Sequence, residues 1–328
     1  MRRYFSIFLC ILFLLTGCVR NDPSQKTEKD LFVVGFSQLG SESDWRLANT
    51  RSMEETFTNK NGYELILDNA RQQQDNQIAA VRRFMIEEVD LIVIAPTTEE
   101  GWDMVLEEVH DAGIPVIIMD RSVAVWNKDL YLTNVGSDFL SEGTRAVAWL
   151  EEQTAGQHSV DDPLTIVHLQ GTYGATAQLQ RTKAIEDAVT SHSDWEFGAQ
   201  LYGDFTEAKG YEVVTEYLRS DRGLDVIYSE NDNMTFGAMR ALDEAGISYG
   251  VGGQVKIITF DATKKALQYC LDGQIDLCVE CNPMHGPLVD DLITKYRAGE
   301  EIPKTVYIGE ALFTQADLTQ EFVDGRTY

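Results

Sequence analysis

The residues at or just past the ends of apolar, β-rich runs, among them Gln38, Asp68, Asn69, Gln170 and Asp232, carry side chains able to grip a partner, and seven stand out. Trp45 and Arg46 follow "LFVVGFSQ" within the polar stretch "SESDWR", and Asp120 and Arg121 close "IPVIIMDR". Phe205 comes just after "FGAQLYG", Asn231 ends "DVIYSEN", and Asp261 ends "VKIITFD". The set mixes carboxylates, an amide, guanidinium forks and flat rings. It holds no histidine, no serine beside a base and no paired acidic cluster, which is poor equipment for acid–base or nucleophilic catalysis. It suits a neutral polyhydroxyl ligand. Flat rings cover the apolar C–H faces of such a molecule. Carboxylates and amides accept from its hydroxyls, and an arginine fork donates two parallel bonds to neighbouring oxygens. Each charge-assisted bond contributes about 1.5–3 kcal/mol.

The elements that must position these residues follow a βα rhythm. Strand candidates are LFVVGFSQ, YELILDNA, DLIVIAP, IPVIIMDR, TIVHLQG, FGAQLYG, DVIYSEN, VKIITFD and LCVECN. Several are nearly continuous apolar runs, as strands covered on both faces require. Between them the period turns helical: in "DNQIAAVRRFMIEEV", Ile78, Val81 and Met85 share one face while Arg82, Arg83, Glu87 and Glu88 share the other. Further helices are expected at about 99–112, 138–153, 176–191, 206–219, 232–245 and 284–298, with "SESDWR" a polar turn. Asp232 and Asp261 are placed to cap the helices that follow them. Alternating strands and helices predict doubly wound, parallel α/β sheets, with ligands outside the carboxyl ends of the strands.

A length of 328 residues exceeds one ordinary core, and about four βα units lie on each side of "DLYLTNVG" at 129–136. Two similar lobes fit better than one sheet of eight or more strands. Short crossings are expected near 134–137, 281–284 and 308–314. That gives one lobe over 31–134 plus 283–310 and another over 135–282 plus 311–328.

With 27 Lys and Arg against 53 Asp and Glu, the net charge of −26 repels phosphate backbones and anionic headgroups, so a nucleic-acid partner is excluded. Residues 1–17 read as an export signal: Arg2 and Arg3 precede "YFSIFLCILFLL", a run too short to span a bilayer comfortably. "LTGC" then resembles the bacterial lipobox, which implies diacylglycerol on Cys18, and residues 18–30 suit a flexible polar tether. The body is therefore expected outside the cytoplasm, on a lipid anchor. Beyond Cys10 and Cys18 remain Cys270, Cys278 and Cys281. An odd number leaves at least one unpaired. A Cys270–Cys278 bridge is conceivable, and buried free thiols are the plainer reading. The five histidines lack ligand spacing, and no metal or cofactor motif is present.

"VGFSQLGSESDWR", "QQQDNQIAAVRRF", "DLIVIAP", "GIPVIIMDRS", "LQGTYGA", "GDFTEAKG", "NDNMTFGAMRALDEAG" and "FDA" resemble the bacterial periplasmic sugar-binding proteins of the ribose/galactose-binding kind. The similarity is sharpest to those serving galactofuranose importers, and it extends from Leu31 to about Tyr296. It implies the type I periplasmic binding fold: two lobes, three hinge crossings and a sugar enclosed between them. Trp45 and Phe205 would then cover the sugar's faces, with Arg46, Asp120 and Arg121 as first-lobe contacts. Arg181, otherwise a solvated charge on a helix, would join Asn231 and Asp261 from the second lobe. Either Glu280 or Asn282 would serve beside the hinge, with Ser41, Glu42 and Ser43 as further candidates. Two departures stand out: Ala184 replaces the glycine of an R-x-x-G pattern, and "CNPMHGP" is one residue shorter before its glycine.

The resemblance implies a monomeric, lipid-anchored solute receptor that hands a monosaccharide, galactofuranose or a related furanose, to an ABC permease without catalysing anything. The same body could instead present its closed form to a receptor kinase or chemoreceptor. Sugar-responsive repressors share this core too, but the export signal, the acidity and the absence of a helix-turn-helix segment rule against one.

Overall fold

The computed structural model describes residues 31–220 and 222–328. The expected export signal, lipid site at Cys18 and tether therefore lie outside the described residues. Among those described, no helix is long and apolar enough to cross a membrane.

The strands form two sheets of six rather than one long sheet. The first contains β1 (Phe32–Gln38), β2 (Tyr63–Asn69), β3 (Leu91–Ile94), β4 (Val116–Met119), β5 (Thr133–Gly136) and β11 (Thr305–Tyr307). Their order is β11-β5-β4-β3-β1-β2, every neighbour parallel. The second contains β6 (Leu164–Gln170), β7 (Trp195–Tyr202), β8 (Val226–Ser229), β9 (Lys256–Asp261), β10 (Leu277–Glu280) and β12 (Leu312–Phe313). Here the order is β12-β10-β9-β8-β6-β7, parallel except for β12, which pairs antiparallel with β10.

Helices α2 (Gln74–Ile86), α3 (Asp103–Asp111), α4 (Phe139–Thr154), α5 (Thr176–Ser191), α6 (Glu207–Leu218), α7 (Asp232–Ala245) and α9 (Gly286–Arg297) fill the expected stretches. Two further helices are α1 (Asp44–Thr56) and α8 (Lys264–Leu271), the latter in the place where a helix is expected after Asp261; a short α10 (Gln320–Gly325) follows β12. The polar "SESDWR" is thus not a turn but the opening of α1. Ser43 caps it, its hydroxyl accepting from the Arg46 N–H at 3.2 Å. Its apolar stripe is thin, with Asn49 and Ser52 among its buried residues.

Each sheet is covered on both faces, which explains the unbroken apolar runs. In β3, Ile92 and Ile94 pack with α2 and α3, while Leu91 and Val93 face the side covered by Met53 of α1 and Val289 and Ile293 of α9. In the second sheet, Tyr228, Ile258 and Phe260 join Leu150 of α4 and Ile185 of α5, and Ile227 and Ile257 join Val214 of α6 and Leu267 of α8. Each such side chain contributes about 1.5–3 kcal/mol by leaving water. The chain passes from one sheet to the other between β5 and α4, between β10 and α9, and between β11 and β12.

Candidate functional site

The first turn of α1 delivers Trp45 and Arg46 together. Trp45 leaves its own lobe to join the second lobe's apolar cluster, and its Nε1 donates to the Cys281 carbonyl at 2.6 Å. Arg46 lies over the same ring, 4.6 Å from its centroid. Its Nε donates to Glu42 Oε1 at 3.1 Å and its Nη2 to Asp120 Oδ2 at 2.6 Å.

Asp120 stands one residue past β4 in the left-handed region, at φ 66. Gly136 permits this: a methyl there would lie 2.7 Å from the Asp120 carbonyl oxygen. Burial would push the Asp120 carboxyl up, but Arg46, Arg121 and His285 outweigh it and hold the group below the usual carboxylate range. Arg121 Nη1 donates to the Thr97 carbonyl at 2.6 Å. Burial and repulsion from Arg46 draw its guanidinium down to about 10.

From the second lobe comes Phe205, at φ 60, its ring over Gly171, where any Cβ would sit 1.9 Å from the ring. Asn231, not Asp232, caps α7. Its Oδ1 accepts from the Met234 N–H at 2.9 Å, and its Nδ2 steadies the Phe205 carbonyl at 3.2 Å. Asp232 turns inward instead, to the hydroxyls of Thr259 and Thr263 at 2.8 and 2.7 Å. Nor does Asp261 cap α8; Thr263 does. Asp261 takes φ 112, a strained value of the kind found where surrounding structure fixes a functional side chain. Burial and the nearby Asp232 push its carboxyl far up, toward the neutral acid. Arg181 is buried rather than solvated, between the rings of Phe139 and Phe260 at 5.2 and 4.7 Å. Its Nε donates to Glu142 at 2.8 Å. Ala184, one turn on, meets Gly143 of α4, whose missing side chain leaves room for the methyl.

These residues line one small pocket between the two sheets. Of the predicted contacts, Glu42, Trp45, Arg46, Asp120, Arg121, Arg181, Phe205, Asn231 and Asp261 line it, together with Ser43. Three guanidinium groups face the carboxyls of Glu42 and Asp120 and the near-neutral carboxyl of Asp261. Four buried polar atoms on these walls have no hydrogen-bond partner: Glu42 Oε2, Arg46 Nη1, Arg181 Nη2 and Asp261 Oδ2. Arg181 Nη2 does stand 2.7 Å from Glu142 Oε2, an ion pair without hydrogen-bond alignment. Each such orphan costs about 1–3 kcal/mol unless a ligand supplies the missing bond. Donors and acceptors in mixture are what hydroxyl groups satisfy, because a hydroxyl does both.

Three predicted residues are not brought together here. Ser41 is exposed. Glu280 is clasped to the C-terminal segment, accepting from Arg326 at 2.5 Å and the Tyr328 hydroxyl at 2.8 Å. Asn282 spends its Oδ1 on the Met284 N–H at 2.9 Å. The residue between them, Cys281, lines the cavity instead, as do Phe139 and Ala177. Position at a strand's carboxyl end marks Cys281; Phe139 and Ala177 lie on helices and carry no such signal. Cys270, Cys278 and Cys281 are buried free thiols.

The lobes are shut. Asp44 and Asn233 exchange hydrogen bonds at 3.1 and 3.3 Å on one side of the cavity. On another, the Thr176 hydroxyl donates to Glu99 at 2.7 Å and accepts from the Ser122 N–H at 2.8 Å.

The sequence profile of the periplasmic binding protein domain matches residues 34–284. The galactofuranose-binding protein YtfQ of Escherichia coli K12 is 35% identical over 292 residues, covering 88% of this chain and 89% of its own. A Mycobacterium smegmatis structure in complex with β-D-fucofuranose is 38% identical with a TM-score of 0.82, covering 87% of this chain and 92% of the other. The binding component of an arabinose ABC transporter from Shewanella sp. ANA-3, bound to α- and β-L-arabinofuranose, is 36% identical with a TM-score of 0.81 and the same coverage.

Proposed function

Because this chain belongs to the periplasmic binding protein domain family, we propose that it is the lipid-anchored solute receptor of an ABC importer. It captures a monosaccharide in furanose form, galactofuranose or a near relative, and performs no catalysis. The observation that carries this reading is the set of four buried polar atoms left without a hydrogen bond, Glu42 Oε2 and Arg46 Nη1 on one wall of the cavity and Arg181 Nη2 and Asp261 Oδ2 on the other. The names of similar proteins support the furanose form: galactofuranose, fucofuranose and arabinofuranose recur among them.

In this reading the lobes run over 31–134 with 283–310 and over 135–282 with 311–328. Glu42, Arg46, Asp120 and Arg121 grip the sugar from one side, and Arg181, Phe205, Asn231 and Asp261 from the other. Half the contacts belong to each lobe, so the sugar binds the shut arrangement far better than the open one. Moving the population from mostly open to mostly shut takes about 5.5 kcal/mol, within reach of three or four charge-assisted bonds. The permease then reads the shut shape. Cys18 carries the lipid, and the body works as a monomer.

Calorimetric titration with free pentoses and hexoses, and with glycosides locked in furanose or pyranose form, tests the proposal. Furanosides should bind at least tenfold more tightly than the matching pyranosides; equal affinities would overturn the ring-form assignment, and no binding at all would overturn the sugar. Cys18→Ser should move the protein from the membrane to the soluble extracytoplasmic fraction.

A further inference from the structure

Outside the cavity, a second group of buried polar residues gathers where the chain crosses between the lobes. Glu310 lies on the β11–β12 crossing. Its Oε1 accepts from the Ser137 hydroxyl of the β5–α4 crossing at 2.5 Å and from the Asn282 N–H of the β10–α9 crossing at 2.9 Å. One carboxyl thus touches all three crossings. Ser137 also meets the Cys281 thiol at 3.3 Å. Glu142, on α4, completes the group: one of its carboxyl oxygens, the Cys281 sulfur and a Glu310 oxygen lie within 4.8 Å of one another.

Glu142 Oε2 holds the guanidinium of Arg181, while Glu142 Oε1 is buried and receives no donor. Two ionised carboxylates this close repel, and a cation or a proton between Glu142 and Glu310 relieves that repulsion. A metal ion is disfavoured, because the Arg181 guanidinium already stands 2.7 Å from Glu142. A proton on the free oxygen of Glu310 donates to Glu142 Oε1 and leaves the bonds from Ser137 and Asn282 intact.

We propose that Glu310 is a positioning residue whose protonated carboxyl, bonded to Glu142, ties the three hinge crossings to the aim of Arg181 into the cavity. Burial, then the neighbouring Glu142, push the Glu310 carboxyl up to about 9. Burial pushes Glu142 up as well, against the pull of Arg181, as two carboxyls sharing one proton require. The other charged or titratable groups facing the pair are Arg145, whose Nη1 donates to the Glu310 carbonyl at 3.1 Å, the Cys281 thiol, and Asp261 across Arg181. Above the titration of Glu310 the two carboxylates repel, and Arg181 shifts with Glu142. The inference concerns how tightly the proposed sugar is held, and so rests on the sugar-receptor reading.

The test compares the wild-type protein with E310Q and E310A. The amide introduced by E310Q keeps the acceptor for Ser137 and Asn282 and supplies an N–H to Glu142 at every pH. Arabinose affinity of the wild type should fall at least fivefold more between pH 7 and 9.5 than that of E310Q. Arg121, whose guanidinium burial draws down only to about 10, is common to both proteins. E310A should bind at least tenfold more weakly than either at pH 7. An infrared arm needs no sugar: the wild-type minus E310Q difference spectrum should show a carboxylic-acid band at pH 7 that bleaches between pH 8 and 10, over and above the band of Asp261 that both proteins share. Should no sugar bind, the receptor reading fails while the infrared band still judges the shared proton. Matching pH profiles for wild type and E310Q, full affinity in E310A, or no such band would each overturn the proposal.

Discussion

The guanidinium carbon of Arg121 lies 5.5 Å from the centroid of the Phe205 ring, a cation of one lobe set over an aromatic face of the other. Arg121 comes from the end of β4 and Phe205 from the end of β7, so the contact exists only while the lobes are shut. It is both a wall of the cavity and one of the forces that closes it.

Arg121→Lys keeps the charge but loses the planar fork and much of the stacking. Sugar affinity measured by calorimetry should fall at least tenfold, about 1.4 kcal/mol, with the unfolding midpoint of the ligand-free protein within a few degrees of wild type. An unchanged affinity would reduce Arg121 to a local ion pair with Asp120.

Gly171→Ala should be worse for binding than its size suggests. The added methyl would fall 1.9 Å from the Phe205 ring, which must swing away and abandon both Arg121 and the cavity. Affinity should drop more than tenfold while circular dichroism stays native. Retention of full affinity would show that the Phe205 face is not used.

Thr176→Val removes the hydroxyl that bridges Glu99 and Ser122 of the opposite lobe, and leaves the cavity walls as they are. The shut state should open faster. Stopped-flow displacement should show sugar dissociating at least threefold faster, with little change in association; identical dissociation rates would make the bridge a bystander.

His285 supplies a pH prediction. Burial, with repulsion from Arg46 and against the pull of Asp120, draws its imidazole down to about 4. A ring neutral in the folded state and titrating near 6.5 when unfolded gives stability that is full above pH 6.5 and declines as pH falls toward 4. The loss attributable to this group approaches about 3 kcal/mol at still lower pH. Urea unfolding of wild type and His285→Gln at pH 7 and 4.5 should show the variant losing less on acidification; parallel losses would contradict it.

The sequence carried the architecture well because parallel strands covered on both faces leave unbroken apolar runs, and amphipathic helices between them announce their period. Strand ends are legible for the same reason, and Asp120, Arg121, Phe205, Asn231 and Asp261 stand at or just past them, but the same rule also points to Asp68, Asn69 and Gln170, which do not line the cavity. Division of labour among neighbours was less visible. Asn231 and Asp232 are both good capping types, and only the backbone reveals that Asn231 caps while Asp232 braces Thr259 and Thr263. Arg181 reads as a solvated charge until Glu142, 39 positions earlier, appears beside it. Cys281 was overlooked between two polar residues whose side chains turn elsewhere. Phe139 and Ala177 lie on helices, where apolar residues by default belong to the core.

The account turns on two lobes that shut around an uncharged furanose, and small-angle scattering of the protein with and without sugar tests that most directly. Saturating arabinose or a galactofuranoside should shrink the radius of gyration to the value calculated from the shut structure, and Trp45→Ala, which loses the bond to the Cys281 carbonyl and a wall of the cavity, should abolish the change. Superimposable profiles with and without sugar, across furanoses and pyranoses alike, would contradict it.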